Sequence, residues 1–189
     1  MLHRLNVEYM DRLIGRLTDA VDKMGLAEKT LIIFTSDNGT HRRIPSMLGD
    51  RKIQGGKGKV FDAGTRVPFV ARWTGVIKPG RVLEDLVDFS DVLPTFAELA
   101  GAQVPKDRVI DGRSFAPQLR GEKGNPREWV YFQNDKARAV RGIRWQVNES
   151  GELFDLSDRY NPVLIEPGKG GPDAEAARKR LTAALESIK

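Results

Sequence analysis

Leu31-Ile32-Ile33-Phe34-Thr35-Ser36-Asp37-Asn38-Gly39 is the stretch on which the fold turns. Its four leading residues are a continuous apolar run, rich in β-formers and too short for a helix of its own, so they read as a strand buried on both faces. Upstream, Met10, Leu13, Ile14, Leu17, Val21 and Met24 recur at spacings of three, four and seven, one stripe of a helix, and Gly25 suits its C-terminus. A helix feeding a buried strand points to an α/β sheet. Asp37-Asn38-Gly39 then falls beyond the carboxyl end of that strand, where open α/β sheets place their sites.

Working outward, residues 40–65 hold Gly49, Gly55, Gly56, Gly58 and Gly64 among many basic residues and read as one long loop. A second strand-like run, Val67–Trp73, brackets it. Loops of this length inside a compact domain are commonly functional. Leu86–Phe89 leads into a helix capped by Asp88 or Ser90, with Pro94 in its first turn, Leu93, Phe96, Ala97 and Ala100 as the expected buried face, and Gly101 at its end. Residues 105–125 read mostly as connector. From Glu128 the pattern changes to short strands at 129–132, 137–140, 143–147 and 153–156, a small antiparallel sheet. The Pro- and Gly-rich 162–172 reads as a linker before a final helix from Ala174 to Ile188, with Ala177, Leu181, Leu185 and Ile188 on one side.

Composition narrows the function classes. With 189 residues, 40% apolar and 30% charged, the chain is long enough for one substantial core and a small satellite. Its net charge of +5 and pI near 9.6 come from scattered basic residues without interleaved aromatics, so neither nucleic acid nor membrane is an expected partner. The absence of cysteine excludes disulfides, thiolate metal sites and a thiol nucleophile in this chain. No apolar run approaches the length of a membrane span, and the first residues lack the apolar core of a signal peptide, so the compartment stays open.

Two motifs carry chemistry. An Asp carboxylate beside an Asn carbonyl offers hard oxygen ligands for Ca²⁺ or Mg²⁺, although Asp37-Asn38-Gly39 alone reads first as an ordinary Asx turn. Gly55-Gly56-Lys57-Gly58 sets a lysine on a flexible backbone able to approach a tetrahedral oxyanion, although alone it is also an ordinary basic loop. Lys59 stands where a nucleotide-binding P-loop needs Ser or Thr. Together, a divalent cation and an ammonium could both contact one sulfate or phosphate group.

These motifs, followed by Asp62-Ala63-Gly64-Thr65-Arg66-Val67-Pro68-Phe69 and Asp91-Val92-Leu93-Pro94-Thr95-Phe96, resemble in order the C-terminal half of the sulfatase family, within the alkaline-phosphatase-like superfamily. The resemblance runs from about Glu8 to Leu156. It implies an α/β fold: residues 1–125 as the C-terminal part of an alkaline-phosphatase-like catalytic sandwich, then a small α+β subdomain, 126–189, of antiparallel sheet and C-terminal helix. It further implies sulfuric ester hydrolysis, Asp37 and Asn38 as calcium ligands, and Lys57 as the catalytic residue that contacts the substrate sulfate. Asp62-Ala63-Gly64 departs mildly from the family's acidic residue followed by two glycines, and Arg66 reads as structural. His41 could protonate a leaving group, but the family takes its catalytic histidines from elsewhere, and nothing is assigned to it.

The family nucleophile is a formylglycine made from Cys or Ser in a Cys/Ser-x-Pro-x-Arg motif, and this chain holds no such motif. The resemblance therefore implies that the nucleophile and further metal ligands lie in an N-terminal half outside this chain, that this half is its partner, and that the chain alone has no turnover. The substrate class implied is a sulfate ester of a small molecule or carbohydrate; for a full-length enzyme a periplasmic or extracellular setting fits. Two alternatives stay open: a phosphate or phosphonate ester hydrolase of the same superfamily, and a truncated, non-catalytic fragment.

Overall fold

The computed structural model describes residues 2–135 and 137–188. Helix α1 (Leu2–Lys23) begins well before the apolar stripe that signals it. It ends where Gly25 takes φ +69, with Gly25 N–H donating to Asp22 O and Leu26 N–H to Val21 O, the paired bonds of a glycine C-cap. The stripe itself is open. Ile14 and Val21 are half-buried, whereas Met10, Leu13 and Met24 are exposed and Leu17 keeps 57% of its surface.

Strand β1 (Ile32–Thr35) forms where expected, but it is half-buried along its length rather than enclosed on both faces. The reason is the number of neighbours. Its only strand partner among the described residues is β4 (Phe69–Arg72), antiparallel with Ile33 opposite Ala71 and Thr35 opposite Phe69. Arg72 reaches Asp22 of α1 at 2.8 Å, and Trp73 Nε1 donates to Glu28 O at 2.8 Å, which docks this ribbon on the first helix and its following turn.

Residues 40–65 are not one loop. They contain the hairpin β2 (Pro45–Leu48) and β3 (Arg51–Gln54), turned at Gly49-Asp50, and the single-turn helix α2 (Asp62–Thr65). The hairpin escapes sequence reading because only Ile53 among its residues is even half-buried, so no period-two alternation marks either strand.

Helix α3 (Val92–Leu99) follows a short turn capped by the Asp88 side chain, as expected, but buries a different face. Leu93 and Phe96 are 52% and 48% exposed, while Asp91 and Thr95 are buried. A polar network sets that orientation. The Asp91 carboxylate accepts from Asp88 N–H (2.8 Å), Arg113 N–H (2.6 Å) and Arg127 Nε (2.7 Å); Thr95 Oγ1 donates to Asp91 O and accepts from Phe115 N–H. Rotating α3 to bury Leu93 would leave these groups unpaired in the interior, a cost of about 1–3 kcal/mol for each neutral group and more for a charge. A further short helix, α4 (Ala116–Arg120), lies in what reads as connector.

The C-terminal part is an antiparallel sheet in sequence order: β5 (Val130–Asn134), β6 (Ala137–Arg141), β7 (Trp145–Asn148), β8 (Leu153–Asp155) and β9 (Val163–Ile165). Strand β9 lies within the expected linker; pairing with β8 as an edge strand requires little side-chain burial, and Val163 and Leu164 stay exposed. Helix α5 (Gly171–Ser187) lays Ala174, Ala177, Leu181 and Leu185 against Val140, Trp145, Val147 and Leu153. The opposite face is also covered. Because side chains alternate along a strand, Arg141 points away from Val140, and its register partner Gln146 and Phe154 beyond share that face. There Arg141 meets Asp62 of α2 through two bonds of 2.6 and 3.0 Å, with only 6% and 3% of the two residues exposed. Phe154 packs edge-on against Phe61, and Asn134 donates to Gly58 O at 2.7 Å.

Two predictions follow from this distribution of cores. In the chain alone, Leu181→Ala should cost about 2–5 kcal/mol of unfolding free energy, and Leu17→Ala less than about 0.5 kcal/mol, as measured by urea titration. Arg144 and Ser157 hold the Asp155 carboxyl well below the usual carboxylate range, with Arg144 the larger influence. A depressed carboxyl stabilises the fold fully above its unfolded value near 3.9, and that contribution is lost as pH falls through the lower folded value. Asp155→Asn should therefore be less stable at pH 7 and show a shallower loss of stability below about pH 4 in pH-dependent melts.

Candidate functional site

Asp37 and Asn38 stand at the carboxyl end of β1, with Asp37 exposed and Asn38 half-buried. Their side chains touch, the Asn38 Nδ2 donating to Asp37 Oδ2, and Ser36 Oγ closes the turn by donating to Asn38 O at 3.2 Å. A half-turn of the Asn38 amide would present its Oδ1 to the same point and make two hard oxygen donors there. That donor set suits a calcium ion in kind but not in number. Calcium takes about 6–8 oxygens, and among the described residues no group of three or more His, Asp or Glu side chains is placed to hold a metal.

The turn is locked to the lysine loop through backbone. Gly39 N–H donates to Gly64 O at 2.8 Å, and Lys57 N–H donates to Thr40 O at 3.0 Å. Three segments, 37–41, 55–59 and 61–65, thus meet main chain to main chain. Only glycine permits this. A Cβ on Gly39 would overlap the Ala63 carbonyl, and one on Gly64 would overlap the Lys59 and Gly56 carbonyls. Lys57 therefore leaves the same junction as Asp37 and Asn38, its side chain exposed and without an ion-pair partner among the described residues.

The other candidates separate from this group. His41 is exposed, its Nδ1 accepting from Arg43 N–H at 3.2 Å, an arrangement within its own loop. Arg66 lies 4.0 Å from Asp62 and belongs to the scaffold. Partial burial, and after it the nearby Arg159, push the Arg66 guanidinium below its usual value. Sequence reasoning missed Arg141. Nothing local to Arg141 marks it, because its partner Asp62 is 79 residues away and its burial beside Gln146 appears only once the sheet is paired.

Comparison with known proteins gives this arrangement a context. Residues 5–102 match the family described as Sulfatase, and residues 56–162 match that described as N-sulphoglucosamine sulphohydrolase, C-terminal. Steryl-sulfatase of Mus musculus is 41% identical over 172 residues, covering 88% of this chain and 27% of that protein. Among solved structures, Ps i-CgsB in complex with k-i-k-neocarrahexaose aligns over 93% of this chain and 40% of its own, with TM-score 0.73 and 26% identity. The phosphonate monoester hydrolase SpPMH from Silicibacter pomeroyi aligns over 93% of this chain and 37% of its own, with TM-score 0.61 and 26% identity. The chain thus spans well under half the length of each relative it resembles. Its fold is the expected one, the C-terminal part of an alkaline-phosphatase-like α/β sandwich followed by a small antiparallel sheet and helix. Since the first match alone takes in more than half of the 189 residues, the chain belongs to the sulfatase family.

Proposed function

We propose that this chain supplies one half of the active site of a sulfuric ester hydrolase: Asp37 and Asn38 as calcium ligands, and Lys57 as the group that contacts the substrate sulfate. The observation that carries this reading is the shared backbone junction, which makes the metal turn and the lysine loop one rigid unit. In that unit Lys57 would bring an ammonium against a sulfate oxygen and neutralise charge that grows there as the ester bond breaks. Its side chain is exposed and so open to a ligand. A calcium ion, when bound, would add Lewis-acid polarisation of a second sulfate oxygen. The substrate is a sulfate ester of a small molecule or a carbohydrate.

The nucleophile, a formylglycine, and the remaining metal ligands belong on this reading to a preceding part of the same protein. The open apolar stripe of α1 and the half-buried β1 offer that part a surface to cover. Residues 1–125 are the catalytic portion and 126–189 the subdomain that braces it. The likeness to a phosphonate monoester hydrolase keeps a phosphoryl ester as the second reading.

Hydrolysis of an aryl sulfate and of an aryl phosphonate, assayed on the chain alone and on the complete protein, separates these readings. No turnover is expected from the chain; the complete protein should favour the sulfate, and Lys57→Ala should lower its kcat/KM by about 10²–10³-fold. A preference for the phosphonate, or an unchanged Lys57→Ala enzyme, overturns the proposal. For the metal, calcium at about 100 times its Kd should stabilise the complete protein by about 2.7 kcal/mol in thermal melts. Asp37→Ala should abolish that increment, and an equal increment in the variant would remove Asp37 from the ligand set.

A further inference from the structure

Next to the lysine loop, on its hairpin side, lies a cleft of about 440 Å³. Gly55, Gly56 and Lys59 form one wall, β3 contributes Arg51 and Lys52, and the segment between β8 and β9 contributes Arg159 and Tyr160. Among the described residues no carboxylate lines it. Arg51 is neutralised from behind by Asp158 at 2.7 Å and stacks on Tyr160, 5.6 Å from the ring centroid, which fixes that wall. Lys52, Lys59 and Arg159 have no ion-pair partner among the described residues. Three cationic residues without ion-pair partners along the wall of one cleft raise its positive potential, which favours an anion there.

We infer that this cleft is a subsite for a second anionic group, a sulfate or carboxylate, on a saccharide whose scissile sulfate sits at Lys57. This deepens the proposed function and rests on it for the position of the scissile group. The proximity is covalent: Gly56 and Lys59 of the cleft wall flank Lys57 in the chain, so a ligand in the cleft lies within a sugar or two of the lysine. The volume fits a saccharide unit rather than a flat surface. Phe61 and Phe154, packed edge-on at 5.0 Å, supply an apolar wall for the C–H face of a sugar ring. Stacked nucleobases are a poorer fit, because one face of Tyr160 is already taken by Arg51. A monoanionic aryl or steryl ester would leave the three cations unpaired.

Equilibrium binding of sucrose octasulfate to the chain, with inorganic sulfate as the comparison, tests the inference. The polyanion should bind at least about tenfold more tightly than sulfate, and Arg159→Glu and Lys52→Glu should each weaken it by about tenfold or more. Both positions are exposed, and unchanged thermal melts confirm that the variants fold. Arg159→Gln should show a smaller loss in the same direction. Lys57→Ala should weaken polyanion binding less than either charge reversal in the cleft. Charge reversals without effect, or sulfate binding as tightly as the polyanion, overturn the subsite. Loss on Lys57→Ala with the cleft variants unaffected also overturns it, while leaving the proposed function standing. An aryl sulfatase activity insensitive to Lys57→Ala would instead refute the proposed function and leave the cleft result to be judged separately.

Discussion

The buried pair of Asp62 and Arg141 is the constraint around which the rest is arranged. Its two bonds join the single-turn helix after the lysine loop to β6, the second strand of the C-terminal sheet, with Arg141 also donating to Gly142 O at 2.6 Å. Two charges removed from water gain little net stability over an apolar pair, because desolvation offsets most of their attraction. What they provide is position. An apolar contact could slide, whereas a bidentate guanidinium and carboxylate meet in one orientation. Phe61 on Phe154 and Gly58 on Asn134 then complete a three-point seat for residues 58–62.

That seat explains why a small sheet with its own helix accompanies a site to which it contributes none of the proposed catalytic residues. One face of the sheet packs on α5 and makes a core; the other carries Asn134, Arg141 and Phe154 and holds the glycine loop beside the Asp37-Asn38-Gly39 turn. The loop has little apolar material to hold itself in place, and Lys57, Gly58 and Lys59 are all exposed. A fixed backbone at residues 55–59 limits where the proposed Lys57 ammonium can reach, and an electrostatic effect falls with distance. The same packing opens the basic cleft between the hairpin and the β8–β9 segment.

Much of this was legible before any coordinates. The amphipathic α1, the short C-terminal strands and α5 with Ala177, Leu181 and Leu185 inward formed as read, and the apolar run at Ile32–Thr35 formed its strand, half-buried rather than enclosed on both faces. Elements without a buried stripe were missed. The hairpin β2–β3 is solvated along nearly its whole length, and β9 is an edge strand in Pro- and Gly-rich sequence. Helix α3 was found but turned the wrong way, because Leu93 and Phe96 look like a core face until Arg113 and Arg127, some 20 and more residues downstream, claim Asp91.

The sequence by itself determined which residues are candidates and where they stand along the chain. Asp37-Asn38-Gly39 after a strand and Gly55-Gly56-Lys57-Gly58 within a glycine-rich excursion are local facts, readable because turn chemistry and ligand chemistry depend on adjacent residues. Only the tertiary structure decided that these two segments form one unit. The bonds that make it so, Gly39 to Gly64 and Lys57 to Thr40, run through the backbone, and backbone groups are the same at every position. The partner that braces the unit, Arg141, stands 79 residues from Asp62, a separation across which side-chain identity carries no distance information until the chain has folded.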